Sequence, residues 1–357
     1  MSRDITLRRI AKEAGVSIAT ASRAIRQPKA VSEATRARVL RIMDAYGYVP
    51  HAVAASFSSG RTGVVGLAVP TISNSIYAAF TEAVQAALQE SGRKLLIANT
   101  GYSAELERDI VVKLVESRVE AVILTGYERD ATLYDLLRRY EIPFVISWST
   151  SPDPDVPSIS FDNYAASRDV VERLLGLGHR RIALMCGVTA VNDRAAQRLA
   201  GYRDALARHG IGFDEALVFE RPFEAAEGAT ALGRILGLPV RPTAVFCAND
   251  ILALGALFAC QRRRIRVPED LSIVGFDDLP IAATTWPALS TVRVPATEMG
   301  RMVARAVASA LDNDESIESY VVPTEFIVRE STCLAARARG GERTGLTDAG
   351  AHVRRLD

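Results

Sequence analysis

The chain of 357 residues has only four cysteines, Cys186, Cys247, Cys260 and Cys333, widely spaced and in no CxxC or metal-ligand pattern. That spacing argues against a disulfide scaffold or a zinc module, and the thiols are expected to be free in a reducing compartment. No apolar run is long enough to span a membrane, and Met1-Ser2-Arg3-Asp4 leads directly into an amphipathic pattern without a signal-peptide core. A cytoplasmic protein is expected. The four histidines, His51, His179, His209 and His352, fall in no HExxH pattern, and GxSxG, GxGxxG and GxxxxGKS/T are absent. A catalytic constellation is missing, so an enzyme is not expected, and no cofactor or metal is. Gly176-Leu177-Gly178-His179 reads as a helix-to-strand turn.

Net charge is nearly absent too, at +1, but its distribution is uneven. Residues 1–60 carry ten Lys/Arg against four Asp/Glu, a net of +6, and the rest of the chain carries a net of −5. A small basic head on a mildly acidic body suggests a nucleic-acid contact confined to the head. Hydrophobic residues make up 48% of the chain, enough for a large core and more than one domain.

Residues 7–26 hold two short helical patterns around a turn. Ile10, Ala11 and Ala14 form one apolar face, Gly15 permits the reversal, and Ser17 is placed to N-cap a second helix. On that helix Ala21, Ala24 and Ile25 face inward, while Ile18, Ala19, Ser22, Arg23 and Arg26 face outward. A third helix is expected from the Ser32 cap to Gly47, with Val39, Ile42, Met43 and Tyr46 as its apolar stripe. Small residues where two helices cross, followed by a third that closes the core, make a helix-turn-helix.

Beyond the polar stretch 58–63 the rhythm changes to strand, then helix. GVVGLAVP, LLIANT, AVILTG and FVISWS are apolar strands, with helices over 75–91 and near 104–117 and 130–140. A second series follows: SISFD, RIALMCG, LVFE, AVFCAN and LSIVGFD. Near-continuous apolar strands alternating with amphipathic helices predict parallel sheets covered on both faces, arranged as two α/β lobes. Ligands bind off the carboxyl ends of such strands, which points to a cleft between lobes.

The polar residues past those strand ends are the candidate ligand-binding residues: Ser75, Ile76 and Tyr77, then Asn99, Gly126, Asp162, Asn192, Arg194, Arg198, Asn249 and Asp277. Mixed carboxylates, amides and guanidinium groups suit a polyhydroxylated ligand. Asp250 and Asp278 fit an N-cap as well as a ligand role. Tyr77 and Trp286 fit apolar walls against a sugar face, or packing between lobes.

The run ITLRRIAKEAGVSIATASRAI, continued by VSEATRARVLRIMDAYGYVPHAVAASF, resembles the LacI/GalR family of bacterial repressors, and the resemblance extends to about residue 332. It implies an all-α head (1–49), a hinge helix and linker (50–62) and a two-lobed periplasmic-binding-protein-like body of type I (63–334). The first lobe would comprise 63–161 and 292–321, and the second 162–291 and 322–334, with three crossovers near 161, 291 and 321. The tail 335–357, Arg/Gly-rich and aperiodic, is expected to be disordered; it lacks the leucine heptads by which some members tetramerise, so a homodimer is expected. Ile18 and Ala19 fall where the family reads operator bases. Ser17, Thr20, Ser22 and Arg23 fall where it contacts phosphates and base edges, and Thr6 and His51 join that DNA-binding set. Ala54 sits where the hinge helix approaches the minor groove, and Phe57 takes the wedge position usually held by leucine. Arg198, Asn249 and Asp277 match effector positions.

The resemblance therefore implies a regulator, in the family's usual mode a repressor, that binds near-palindromic double-stranded operator DNA. A sugar or sugar acid in the cleft would control its operator affinity. Gly101-Tyr102, Phe161-Asp162-Asn163 and Arg26-Gln27-Pro28 resemble the gluconate-repressor branch. The alternatives are a solute-binding protein of the same fold without DNA function, and a sugar-processing α/β enzyme.

Overall fold

A computed structural model describes residues 6–48 and 62–335. The chain divides into two compact units, with the boundary in sequence between Thr62 and Gly63. His51, Ala54 and Phe57, on which the hinge expectations rest, lie outside the described residues, as does the tail from residue 336. Ala335, where the disordered tail was expected to begin, is instead buried, and its N–H donates to the Leu177 carbonyl oxygen.

The first unit contains α1 (Leu7–Glu13), α2 (Ile18–Arg26) and α3 (Glu33–Tyr46). Local chemistry fixes each end. Ser17 Oγ accepts the Thr20 N–H at 3.0 Å, and Ser32 Oγ accepts that of Thr35 at 3.3 Å. At the other end, α1 and α3 stop by the same device. Gly15 and Gly47 adopt φ of +63° and +60°, and the next residues, Val16 and Tyr48, donate back to Ala11 O and Met43 O. Ile10, Ala11, Ala14, Ala21, Ala24, Val39 and Met43 form the core. Ile10 is fully buried, which contributes roughly 1.5–3 kcal/mol.

In the second unit, one lobe has four parallel strands in the order β2-β1-β3-β4: β1 (Val64–Val69), β2 (Lys94–Asn99), β3 (Ala121–Thr125) and β4 (Phe144–Ser147). They alternate with α4 (Ser75–Glu90), α5 (Ala104–Glu116) and α6 (Ala131–Arg139). A short β5 (Ile159–Ser160) follows, and the chain enters the second lobe with α7 (Asn163–Gly176). That lobe pairs β6 (Ile182–Cys186), β7 (Val218–Glu220), β8 (Ala244–Cys247) and β9 (Ser272–Val274) in the order β7-β6-β8-β9. Its further helices are α8 (Asp193–Arg208), α9 (Ala225–Leu236) and α10 (Asp250–Arg262).

After β10 (Thr291–Arg293) the chain returns to the first lobe, where α11 (Ala296–Asn313) packs on α4. It crosses again between β11 (Tyr320–Val321) and β12 (Glu325–Ile327). The crossing segments pair with one another: β11 runs parallel to β5 and β12 antiparallel to β10. A chain of rings follows the same crossing. Trp148 and Phe161 have centroids 6.2 Å apart, Phe161 and Phe276 6.1 Å, and all three side chains are buried.

One strand departs from the expectation of two covered faces. LLIANT is apolar, yet β2 is the sheet edge, with Leu96 and Ile97 each 40% exposed. Apolar content alone does not distinguish a central strand from an edge that another surface covers. Among the described residues no helix is long and apolar enough to cross a membrane.

Candidate functional site

The head presents one face of α2. Its inward side is closed by Ala21 and Ala24, which leaves Ile18 at 44% exposure beside exposed Ala19 and Arg23 and half-buried Thr20 and Ser22. The 3.6-residue period places these side chains together. Ser17 is committed to the cap, and its Oγ also lies 2.9 Å from Thr20 Oγ1. Thr6 precedes α1 with an extended backbone and makes no side-chain cap bond.

The second site lies where the strand ends of the two lobes face each other. From the first lobe, Ile76 and Tyr77 enter on α4, whose cap is Asn74: its Oδ1 accepts the Ile76 N–H at 3.2 Å. From the second lobe come Asn192, Arg194 and Arg198 at the start of α8, Asn249 after β8 and Asp277 after β9. Gly126, after β3, meets this group from the first lobe. Its φ is +79°, and a Cβ there would overlap Arg194 Nη1.

Arg198 is 6% exposed. Its Nε donates to Asn163 Oδ1 at 2.9 Å and its Nη1 to the Ala248 carbonyl, while the guanidinium carbon sits 3.8 Å from the Phe276 ring centroid. Asn163 in turn donates to the Trp148 carbonyl at 2.8 Å. Asn249 Nδ2 donates to Asp277 Oδ2 at 2.6 Å. Burial pushes the Asp277 carboxyl up to about 8; buried Asp250 adds to this, while Arg198 and the Asn249 bond oppose it. Burial lowers the Arg198 guanidinium, opposed by Asp277. Near neutral pH the pocket therefore offers a protonated Asp277 and two buried guanidinium groups, a set rich in donors.

Four of the sequence candidates stand elsewhere. Ser75 is exposed at the first position of α4. Asn99 is exposed at the end of edge strand β2, where its Oδ1 accepts the Gly101 N–H. Asp162 caps α7 by accepting the Ala165 N–H at 2.9 Å, and the neighbouring Asn163 is the residue that reaches Arg198. Trp286 is 79% exposed, and its carbonyl accepts Gln261 Nε2 at the C-terminal end of α10, the end remote from the strand termini. It is not a cleft wall. Asp250 and Asp278 brace the crossing segments. Asp250 accepts from Leu279 N and Thr291 Oγ1, and Asp278 pairs with Arg293 and Arg329.

Sequence reasoning passed over Asn74, Tyr102, Trp148 and Phe223 in choosing ligands, though all line the pocket. Trp148 Nε1 and the Tyr102 hydroxyl are buried without a hydrogen-bond partner of normal geometry. Their positions after strand ends β4 and β2 were the available signal.

Residues 6–51 match the profile described as "Bacterial regulatory proteins, lacI family", and residues 171–332 that of a "Periplasmic binding protein-like domain". The HTH-type transcriptional regulator DegA of Bacillus subtilis (strain 168) is 32% identical over 331 residues, covering 92% of this chain and 98% of that protein. The structure of a lac repressor dimer bound to operator and the anti-inducer ONPF is similar at a TM-score of 0.82 and 26% identity, over 93% of this chain and 100% of that one. That of a transcriptional regulator CelR–cellobiose complex reaches a TM-score of 0.68 and 32% identity, over 92% and 99%. With its helix-turn-helix head and two-lobed body, the chain belongs to the lacI family of bacterial regulatory proteins and is a DNA-binding transcriptional regulator.

Proposed function

We propose that this regulator binds a near-palindromic operator as a homodimer and that a sugar acid in the interlobe cleft sets its operator affinity. The observation that carries the ligand reading is Arg198. It is a buried cation whose hydrogen bonds go to neutral oxygens, of Asn163 and Ala248, beside a carboxyl that burial holds protonated. A ligand carboxylate supplies the missing negative charge, and ligand hydroxyls pair with Asn192, Asn249 and Asp277. The similar CelR structure is a complex with cellobiose, a neutral polyhydroxylated ligand, which supports the sugar part of this reading and not the acid. Exposed Leu96 and Ile97 on β2 favour a self-complementary subunit contact.

Binding that favours one relation of the two lobes shifts the operator equilibrium, and linkage requires the operator to shift ligand affinity by the same factor. Ile18 and Ala19 would read bases in the major groove, with Ser22 and Arg23 beside them. The test is a gel shift with purified full-length protein and its own promoter, at several salt concentrations, with and without gluconate, glucuronate and galacturonate. Support is a specific, salt-sensitive complex whose affinity changes with one of these acids in wild type but not in Arg198→Ala. A complex indifferent to all of them overturns the sugar-acid reading.

A further inference from the structure

The N-terminal turn of the second helix is the end at which a helix-turn-helix meets base edges. In α2 that turn opens with two apolar side chains. Ile18, the first residue of the helix, is 44% exposed, and Ala19 beside it is exposed too. Neither belongs to the core of the head, which α2 joins through Ala21 and Ala24. The hydroxyls of the same turn are already engaged with each other. Ser17 Oγ accepts the Thr20 N–H, and the two side-chain oxygens lie 2.9 Å apart.

The chemistry left on this face is narrow. In the major groove adenine is read by the amides of Asn and Gln, cytosine by the carboxylates of Asp and Glu, and guanine by Arg or Lys. No Asn, Gln, Asp or Glu stands anywhere on α2. Arg23, exposed and one helical turn beyond Ala19, carries the guanidinium that suits guanine. Ile18 and Ala19 have no donor or acceptor in their side chains. The group they complement is the one apolar group on the groove floor, the methyl of thymine.

We propose that Ile18 and Ala19 select thymine by its methyl group, so that the base pairs under the start of α2 are recognised by apolar contact and not by their hydrogen-bonding edges. This rests on the reading of α2 as the base-contacting helix. Burying one methyl corresponds to about fourfold in affinity, and two half-sites multiply this to about tenfold or more.

The test is a gel shift at fixed salt with full-length protein and the operator footprinted in its own promoter, synthesised with thymine or with uracil in the half-sites. Uracil keeps the pairing edge and lacks only the methyl. Wild type is expected to lose about tenfold or more on uracil DNA. Ile18→Ala should bind thymine DNA at least about tenfold more weakly than wild type, but uracil DNA no more than about threefold more weakly, because the contact is already gone. A further arm needs no protein variant. With those thymine–adenine pairs replaced by cytosine–guanine, methylating the cytosines at the same ring position should strengthen wild-type binding by about threefold or more. Equal wild-type binding to thymine and uracil DNA, equal binding to the methylated and unmethylated cytosine duplexes, or independent multiplication of the Ile18 and uracil losses overturns the methyl inference and leaves base reading by α2 standing. Ile18→Ala binding thymine DNA as tightly as wild type overturns that reading with it.

Discussion

Asp193 of the second lobe accepts the backbone N–H of Tyr127 in the first lobe, at 2.7 Å. Its other oxygen takes the Arg194 backbone N–H at 2.9 Å and Arg194 Nη1 at 2.5 Å. One buried carboxylate thus fastens the loop after β3 to the start of α8 and holds Arg194 in the cleft. Hydrogen bonds to a charged group contribute about 1.5–3 kcal/mol each, and a donor left buried costs a similar amount. Asp193→Ala should lower unfolding stability in urea by about 1.5–3 kcal/mol and reduce sugar-acid affinity at least tenfold. Unchanged values for both would show that the lobes are not held here.

Gly126 imposes a related constraint. Its left-handed backbone and the space taken by Arg194 both exclude a side chain. Gly126→Ala should cost more than about 1 kcal/mol through backbone conformation alone, and should displace Arg194 as well. Ligand affinity is expected to fall further than urea stability accounts for, as measured by calorimetry on folded protein. An alanine variant with wild-type affinity would mean that Arg194 adjusts without consequence.

In the head, stability and reading separate onto neighbouring residues. Ser17 completes the α2 cap, so Ser17→Ala should destabilise the head by about 1 kcal/mol. Ile18 is 44% exposed and outside the head core, so Ile18→Ala should leave thermal stability nearly unchanged. Operator affinity should nonetheless fall at least tenfold in a gel shift at fixed salt. Equal thermal losses for the two variants would place Ile18 in the packing.

Rules of short range made much of this visible in advance. Ser17 and Ser32 caps, the Gly15 and Gly47 stops and the apolar period each concern fewer than five neighbours, and they determine where the helices begin and end. The cleft was legible for a topological reason: residues just past parallel strands converge, which brought Arg194, Arg198, Asn249 and Asp277 into view. What escaped depended on one-residue phase or on long-range placement. Asp162 and Asn163 are adjacent, but the helix turns one to its own cap and the other to Arg198. Tyr102 and Trp148 reach the cleft from left-handed backbone at φ +59° and +71°, which no local pattern announces. Trp286 has the chemistry of a sugar wall and the wrong end of α10.

Asp277 makes the cleft sensitive to pH. Its carboxyl rises from an ordinary 3.8 to about 8 on folding, with burial as the first cause. A raised carboxyl favours the protonated fold, so its contribution is fully present below 3.8 and is lost as pH climbs through about 8. Asp250, raised to about 6, acts in the same direction over a narrower window. Asp277→Asn keeps the size and removes the proton equilibrium. Wild-type stability should decline between pH 5 and pH 8.5 relative to this variant, as followed by urea midpoint at each pH. Sugar-acid affinity should fall above about pH 8 in wild type, where ionised Asp277 repels a ligand carboxylate, and should stay flat in Asp277→Asn. Parallel pH profiles for the two proteins would mean that the carboxyl is ionised throughout and that Arg198 already has its counter-charge.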